Sequence, residues 1–237
     1  MPKTHRLFML DIIRILCAVQ VEMYHSITMF GCSYGRFFTA LIQYLIQPVM
    51  TCFFMMSGFS IYYMYHNTNI MEKNRLVLFY LKRAVSILPS YYLVHILYVF
   101  IYPNTLSDWI ALTPIELLGI QSSYNTLFGI LHNGGTWFIS CMLLSYLFYP
   151  IMQMLLASLN QNLKWGILAV LLFILVYSDY LVLKFGMQGN YSNPIFRMIE
   201  FSCGVVLGAI WLPKEHRYVW GGYYSACVYN MVFVFNN

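Results

Sequence analysis

Long apolar runs, broken by short polar interruptions, set the pattern of this chain. Each run is about 18 residues or longer and almost free of charge, the length that crosses a hydrocarbon core of about 30 Å. The pattern predicts about seven helices, over residues 10–30, 38–65, 76–101, 136–157, 165–184, 194–212 and 218–235, with boundaries good to about 2–4 residues. The stretch 104–135 is less apolar and holds Pro103, Asp108, Pro114, Glu116, Asn133, Gly134 and Gly135. It reads as a long loop with short amphipathic pieces at the membrane interface. The expected fold is all-α, a polytopic transmembrane helix bundle in the lipid bilayer.

Composition sharpens this. Of 237 residues, 60% are hydrophobic and only 9% charged, against about 25% charged in an ordinary soluble domain. A soluble enzyme, a disordered chain and a β-barrel are all disfavoured. The net charge of +5 is not gathered into a basic patch, so no nucleic-acid partner is expected. Its placement instead gives orientation, because cytoplasmic loops are enriched in Lys and Arg. With the N-terminus cytoplasmic, Lys3, Arg6, Lys73, Arg75, Lys82, Arg83, Lys164, Lys214 and Arg217 fall inside, and only Arg36 and Lys184 fall outside. The six cysteines show no C-x-x-C spacing and read as buried small hydrophobes. His5, His66, His95, His132 and His216 share no metal-like spacing either, so no metal is expected.

Charge inside a bilayer is costly, at least about 2.5–3.5 kcal/mol per group, which makes each such residue a functional candidate. The first predicted span holds Asp11, Arg14, Glu22 and His25. At 3.6 residues per turn all four share an arc of about 80°, one polar stripe for a bundle interior or a wet cavity. Arg14 and His25 lie about 16 Å apart along that stripe. They are too far apart to bond each other and suit two ends of one extended ligand. A guanidinium near the cytoplasmic headgroups is a natural phosphate partner. A histidine deeper in the span can take a proton from a hydroxyl. The competing structural reading is that Asp11 and Arg14 staple a helix end and that His25 is a packed core residue. Glu22 either orients His25 or is paired structurally.

These residues resemble the opening signature of the acyltransferase-3 family of multi-span membrane acyltransferases. Arg6-Leu-Phe-Met-Leu-Asp-Ile-Ile-Arg14 followed by His25 matches its Asp, Arg and His positions. Four further stretches are similar to family motifs in the same order. They are Phe53-Phe-Met-Met-Ser-Gly-Phe59, Phe79-Tyr-Leu-Lys-Arg-Ala-Val-Ser-Ile-Leu-Pro-Ser-Tyr91, Gly135-Thr-Trp-Phe-Ile139 through Tyr149-Pro150, and Asn193-Pro-Ile-Phe-Arg-Met-Ile-Glu-Phe-Ser-Cys-Gly204. Two positions depart from the pattern. Ser86 stands where members often carry a second Arg, and Met142 where many carry a Glu.

The resemblance implies O-acyl transfer, usually of acetyl, from acyl-CoA (acetyl-CoA) to a hydroxyl of a cell-surface carbohydrate or related acceptor. It implies a plasma-membrane location and a single integral-membrane domain over residues 1–237, from which the last spans of longer members are missing. His25, Arg14 and Asp11 carry over as catalytic residues, and Arg14 and Arg83 as binders of the donor. Ser57, Trp137, Arg197 and Glu200 are further candidates. Ser57-Gly58 also reads as a close helix contact, and Arg197 and Glu200, at i and i+3, as a structural pair. Two other functions are compatible with the composition: a transporter or flippase for a lipid-linked glycan, and an inactive remnant.

Overall fold

A computed structural model describes residues 8–101, 106–123, 134–187 and 189–212. Its elements are α1 (Phe8–Phe30), α2 (Arg36–Tyr65), α3 (Lys73–Ile101), α4 (Leu106–Leu118), α5 (Trp137–Ser158), α6 (Gln161–Val176), α7 (Ser178–Phe185) and α8 (Pro194–Trp211). Short 3-10 turns at Gln121–Ser123 and Gly134–Thr136 flank the gap before α5. The described residues form no strand, and the all-α expectation holds.

The predicted apolar runs match α1, α2, α3, α5 and α8, with ends that agree within three residues. The run over 165–184 does not form one straight helix. α6 and α7 meet at Tyr177 with a 60° bend. Ser178 and Asp179 follow that break, and the Asn190 side-chain amide donates to both, at 3.2 Å and 2.6 Å. Polar side chains with a partner across the loop outweigh continuation of the apolar helix. The run over 218–235 lies outside the described residues. Part of the stretch read as loop is helical, since α4 spans 13 residues.

Among the described residues, three helical segments are long and apolar enough to cross a membrane: α2, α8, and α5 with the turn before it. The α6–α7 pair adds a fourth if counted as one broken span. α1 and α3 have the length, 23 and 29 residues. However, α1 carries Asp11, Arg14 and Glu22, and α3 carries Lys73, Arg75, Lys82 and Arg83. The helices therefore do not by themselves establish a count of seven.

Local signals fix the helix ends. Asn193 accepts from the Ile195 amide at 3.0 Å, with Pro194 as the first helical residue of α8. Both features supply what a helix start lacks. Gly186 closes α7 in the left-handed region at φ 59°, where an L side chain is strained. At the far end of α8 the last carbonyls are capped from α6. Lys164 Nζ donates to the Ala209 carbonyl at 3.0 Å, and Gln161 donates to that of Ile210 at 2.9 Å.

α8 is the centre of the bundle: more than half of its 18 residues are buried. It packs closest on α2, where small residues let the two backbones meet. A Cβ on Gly58 would lie 2.0 Å from the Phe201 carbonyl oxygen, and one on Gly204 would lie 1.9 Å from that of Met55. Rising numbers on α2 meet rising numbers on α8, so these helices run parallel. α5 joins them in the same direction. Tyr149 donates to the Ile61 carbonyl at 3.2 Å, and Gln153 donates to that of Tyr65 at 2.6 Å. α3 runs against α5, with Phe79 stacked on Tyr149 at 5.5 Å and Tyr80 donating to the Leu147 carbonyl at 2.8 Å. α1 touches the rest mainly through α2, and Cys17 is its one buried residue. Most of its apolar side chains are exposed, among them Phe8, Met9, Ile15, Leu16 and Val19.

One end of the bundle thus gathers the starts of α1, α3 and α6 and the finishes of α2, α5 and α8. Lys73, Arg75, Lys82, Arg83 and Lys164 lie towards it, whereas Arg36 and Lys184 lie towards the other. Of the cysteines, Cys17, Cys141 and Cys203 are buried as expected, while Cys32 is exposed and Cys52 half-buried. Cys227 lies outside the described residues.

Replacing Gly204 by Ala places a methyl group inside a carbonyl oxygen's radius and forces α2 and α8 apart. The expected cost is about 1–3 kcal/mol, read as a lowered unfolding midpoint of the detergent-purified protein. Gly166→Ala on α6, where a Cβ meets nothing within 4 Å, is the control. It should be neutral or stabilising by a few tenths of a kcal/mol, up to about 1.

Candidate functional site

The candidate residues fall into two groups, one near each end of the bundle. Near the basic end, Arg14 reaches in two directions. Its Nη1 donates to Asp11 Oδ1 at 2.8 Å, and its Nη2 donates to the Ser60 hydroxyl on α2. Arg83, one turn along α3 from the Phe79 stack, lies over the Tyr146 ring with its guanidinium carbon 5.8 Å from the centroid. Tyr146, on α5, is also within electrostatic reach of Arg14, and its hydroxyl is within hydrogen-bonding reach of Arg83. Four helices therefore bring Asp11, Arg14, Ser60, Arg83 and Tyr146 together. Arg83 Nε is buried and has no hydrogen-bond partner among the described residues. Tyr146 is itself held against α8 by an edge-on contact with Phe201 at 5.8 Å.

At the other end stands the Arg197–Glu200 pair. Arg197 is fully buried, with 0% exposure. Its Nη1 donates to Glu200 at 2.7 Å, and its Nε donates to the Tyr191 carbonyl at 2.8 Å. Glu200's other oxygen accepts from Thr51 on α2 at 2.7 Å. The guanidinium sits 5.5–5.6 Å from the centres of three rings, Phe54, Trp137 and Tyr191. This is the arrangement in which a buried cation costs least: a bonded counter-charge and aromatic faces around it. Tyr191 lies in the loop between α7 and α8. Burial pushes its phenol up, and the nearby Tyr24 adds to this against the opposing charge of Arg197. Tyr191 is thus a neutral hydrogen-bond donor over the physiological pH range.

His25 belongs to this second end. Its ring meets that of Tyr24 edge-on at 5.6 Å, and Tyr24 is within electrostatic reach of Tyr191. The histidine is half-buried, and its nitrogens have no hydrogen-bond partner among the described residues. The structure corrects one reading of the stripe. Glu22 is exposed and makes no hydrogen bond to His25 among the described residues. Asp11, Arg14 and His25 stay partly buried along the helix, with Arg14 and His25 separated by three turns, about 16 Å. Ser57 is half-buried and has no base beside it among the described residues; its neighbour Gly58 makes the close helix contact expected there.

Several residues at these two ends carried no signal in the sequence. Ser60, Thr51, Tyr146 and Tyr191 are hydroxyl-bearing residues among many, and only the packing selects them. A third polar web was also missed. His95 Nε2 on α3 lies 3.7 Å from Glu116 on α4, both almost wholly buried. The Tyr91 hydroxyl donates to the Glu116 carbonyl, and Gln121 donates to Tyr91 and to the Thr136 carbonyl, both at 3.2 Å. This web ties α4 and the following turn to the start of α5. No group of three or more metal-ligating side chains occurs among the described residues.

A family model described as an acyltransferase domain matches residues 8–233, nearly the whole chain. The chain belongs to the acyltransferase-3 family. No curated protein and no solved structure matches it. Family membership and the apolar helices mark a membrane protein with acyltransferase activity in the general sense. Within this acyltransferase α1 runs through both the basic-end cluster and the His25 end.

The Arg197–Glu200 pair gives a direct test of the second end. Glu200→Leu strands a buried guanidinium and should cost about 3–5 kcal/mol, seen as loss of folded protein or a sharply lowered unfolding midpoint. The double variant Arg197→Met/Glu200→Leu removes the stranded charge and should recover most of that loss. Equal destabilisation in both variants would show that packing, not charge pairing, dominates there.

Proposed function

We propose that this chain moves an acyl group, acetyl in the simplest case, from acyl-CoA to a hydroxyl of a cell-surface carbohydrate or related acceptor at the plasma membrane. The observation that carries this reading is the two-ended polar path on α1. Arg83 lies over the Tyr146 ring near the basic end, with Arg14 within electrostatic reach of the same phenol, and His25 lies about 16 Å further along α1 from Arg14. The basic end is the one that faces the cytoplasm on the positive-inside rule, where acyl-CoA is available. Guanidinium groups suit its phosphates, since each offers a planar set of donors at fixed charge.

The chemistry needs a base where the thioester ends. His25 takes the proton of the acceptor hydroxyl as the oxygen attacks the thioester carbonyl. The C–S bond then breaks, and CoA leaves as a thiol after taking up a proton. An imidazole whose nitrogens are free of other side chains suits that role. Asp11 acts at one remove, holding Arg14 by the 2.8 Å bond. The half-exposed setting of the Arg14–Asp11 pair supports a site that a soluble donor reaches from one face.

His25→Ala should lower acyl transfer about a hundredfold or more, because a general base contributes at least that much, while the protein stays at normal abundance in the membrane. Arg14→Lys should raise the KM for acyl-CoA more than it lowers kcat. The measurement is acylated acceptor per unit of membrane-inserted protein. Wild-type activity in His25→Ala would remove the base assignment and return that part of the stripe to a packing role.

A further inference from the structure

We propose that Tyr146 on α5 is a donor-positioning residue, whose hydroxyl joins Arg83 and Arg14 into one site for a phosphate group. The proposal rests on the acyl-CoA reading and deepens it. Arg83 makes no ion pair with a carboxylate among the described residues, and its Nε is buried without a hydrogen-bond partner. Against it lies the Tyr146 ring, 5.8 Å from its guanidinium carbon, with the hydroxyl of that ring within hydrogen-bonding reach. Arg14 is within electrostatic reach of the same tyrosine, with Asp11 and Ser60 occupying Nη1 and Nη2.

The charge balance of the cluster is two guanidinium groups against one carboxylate. A surplus cation within a helix bundle is unfavourable unless an anion or water compensates it, so the cluster favours an anionic ligand. A phenol suits the junction. Its hydroxyl oxygen can accept from an arginine N–H and so set where the guanidinium points. Its ring adds cation–π attraction that a Ser or Thr could not supply. Tyr146 is also rigid. Phe201, on the central helix, packs against its edge at 5.8 Å, so the hydroxyl is presented from the most buried part of the fold. α1 and α3 each bring an arginine, and α5 sets where the second one points.

The test uses the full chain in a neutral detergent, with CoA as the probe in a calorimetric titration and acyl transfer measured in parallel. Tyr146→Phe keeps the ring under Arg83 and removes only the hydroxyl. It should weaken CoA binding about tenfold, the size of one hydrogen bond to a charged group. The KM for acyl-CoA should rise by a similar factor, with kcat and the acceptor KM little changed. Arg83→Gln should weaken CoA at least as much, and Tyr146→Phe/Arg83→Gln no more than Arg83→Gln alone, because the tyrosine acts through the arginine. Wild-type CoA affinity in Tyr146→Phe, or fully additive losses in the double variant, would overturn the proposal. If Arg83→Gln and Arg14→Lys both leave CoA binding unchanged, the acyl-CoA reading of this end fails instead. A parallel titration with phosphatidylglycerol micelles separates the sources of phosphate. Displacement of CoA by the lipid at equal phosphate concentration would make the site a headgroup site and would also overturn the proposal.

Discussion

The contact between α2 and α8 is a meeting of backbones, with the Phe201 and Met55 carbonyls lying where the Cβ atoms of Gly58 and Gly204 would be. Lipid offers helices little hydrophobic reason to associate, so close van der Waals packing has to supply much of the attraction. That approach fixes the register of the two parallel helices to within a fraction of a turn. It is the reason Thr51 stands opposite Glu200 and Phe54 beneath Arg197. α5 then lies along the pair, with Tyr149 and Tyr146 against Phe201. The aromatic side chains on α5 in turn decide where α3 can bring Arg83.

The two ends of the bundle handle charge in opposite ways. Arg197 has a carboxylate, a carbonyl and three aromatic rings around it, and its charge is largely answered within the protein. Arg14 and Arg83 are answered only in part, by Asp11 and by neutral groups. On the proposed reading, a site that takes and releases an anionic donor keeps such an excess of positive charge, since full neutralisation would leave no reason to bind. His25 lies beyond the cluster on the same helix, which suits a reaction whose donor is anchored at one point and reacts at another.

Much of this was legible in the sequence, for physical reasons that also explain the gaps. Helices α1, α2, α3, α5 and α8 follow from apolar length alone. The break at Tyr177 does not, because it depends on Asn190 reaching back to Asp179 across a loop. The i, i+3 pairs Asp11–Arg14 and Arg197–Glu200 are fixed by helix geometry and were readable as such. Gly58 was readable as a close contact, whereas its partner Gly204 required the relative register of two distant helices. Tyr146 is one of 21 tyrosines and is singled out only by the arginines that packing sets beside it. His95 and Glu116 were invisible for a similar reason, since they sit on different helices. The exposure of Glu22 was not legible, because angular position places a residue on a face but does not say how far a neighbouring helix covers that face.

The proposed donor site lies at the basic end, among Arg14, Arg83 and Tyr146, with His25 at the far end of the donor's reach. Photoaffinity labelling with an aryl-azide derivative of CoA carrying the azide on its adenine ring, followed by peptide mapping, tests this directly. Label is expected on α1 near Arg14, on α3 near Arg83 or on α5 near Tyr146, with protection by unmodified CoA. Label confined to the segments around Trp137 and Tyr191–Arg197 would place the donor at the opposite end and contradict the proposed site.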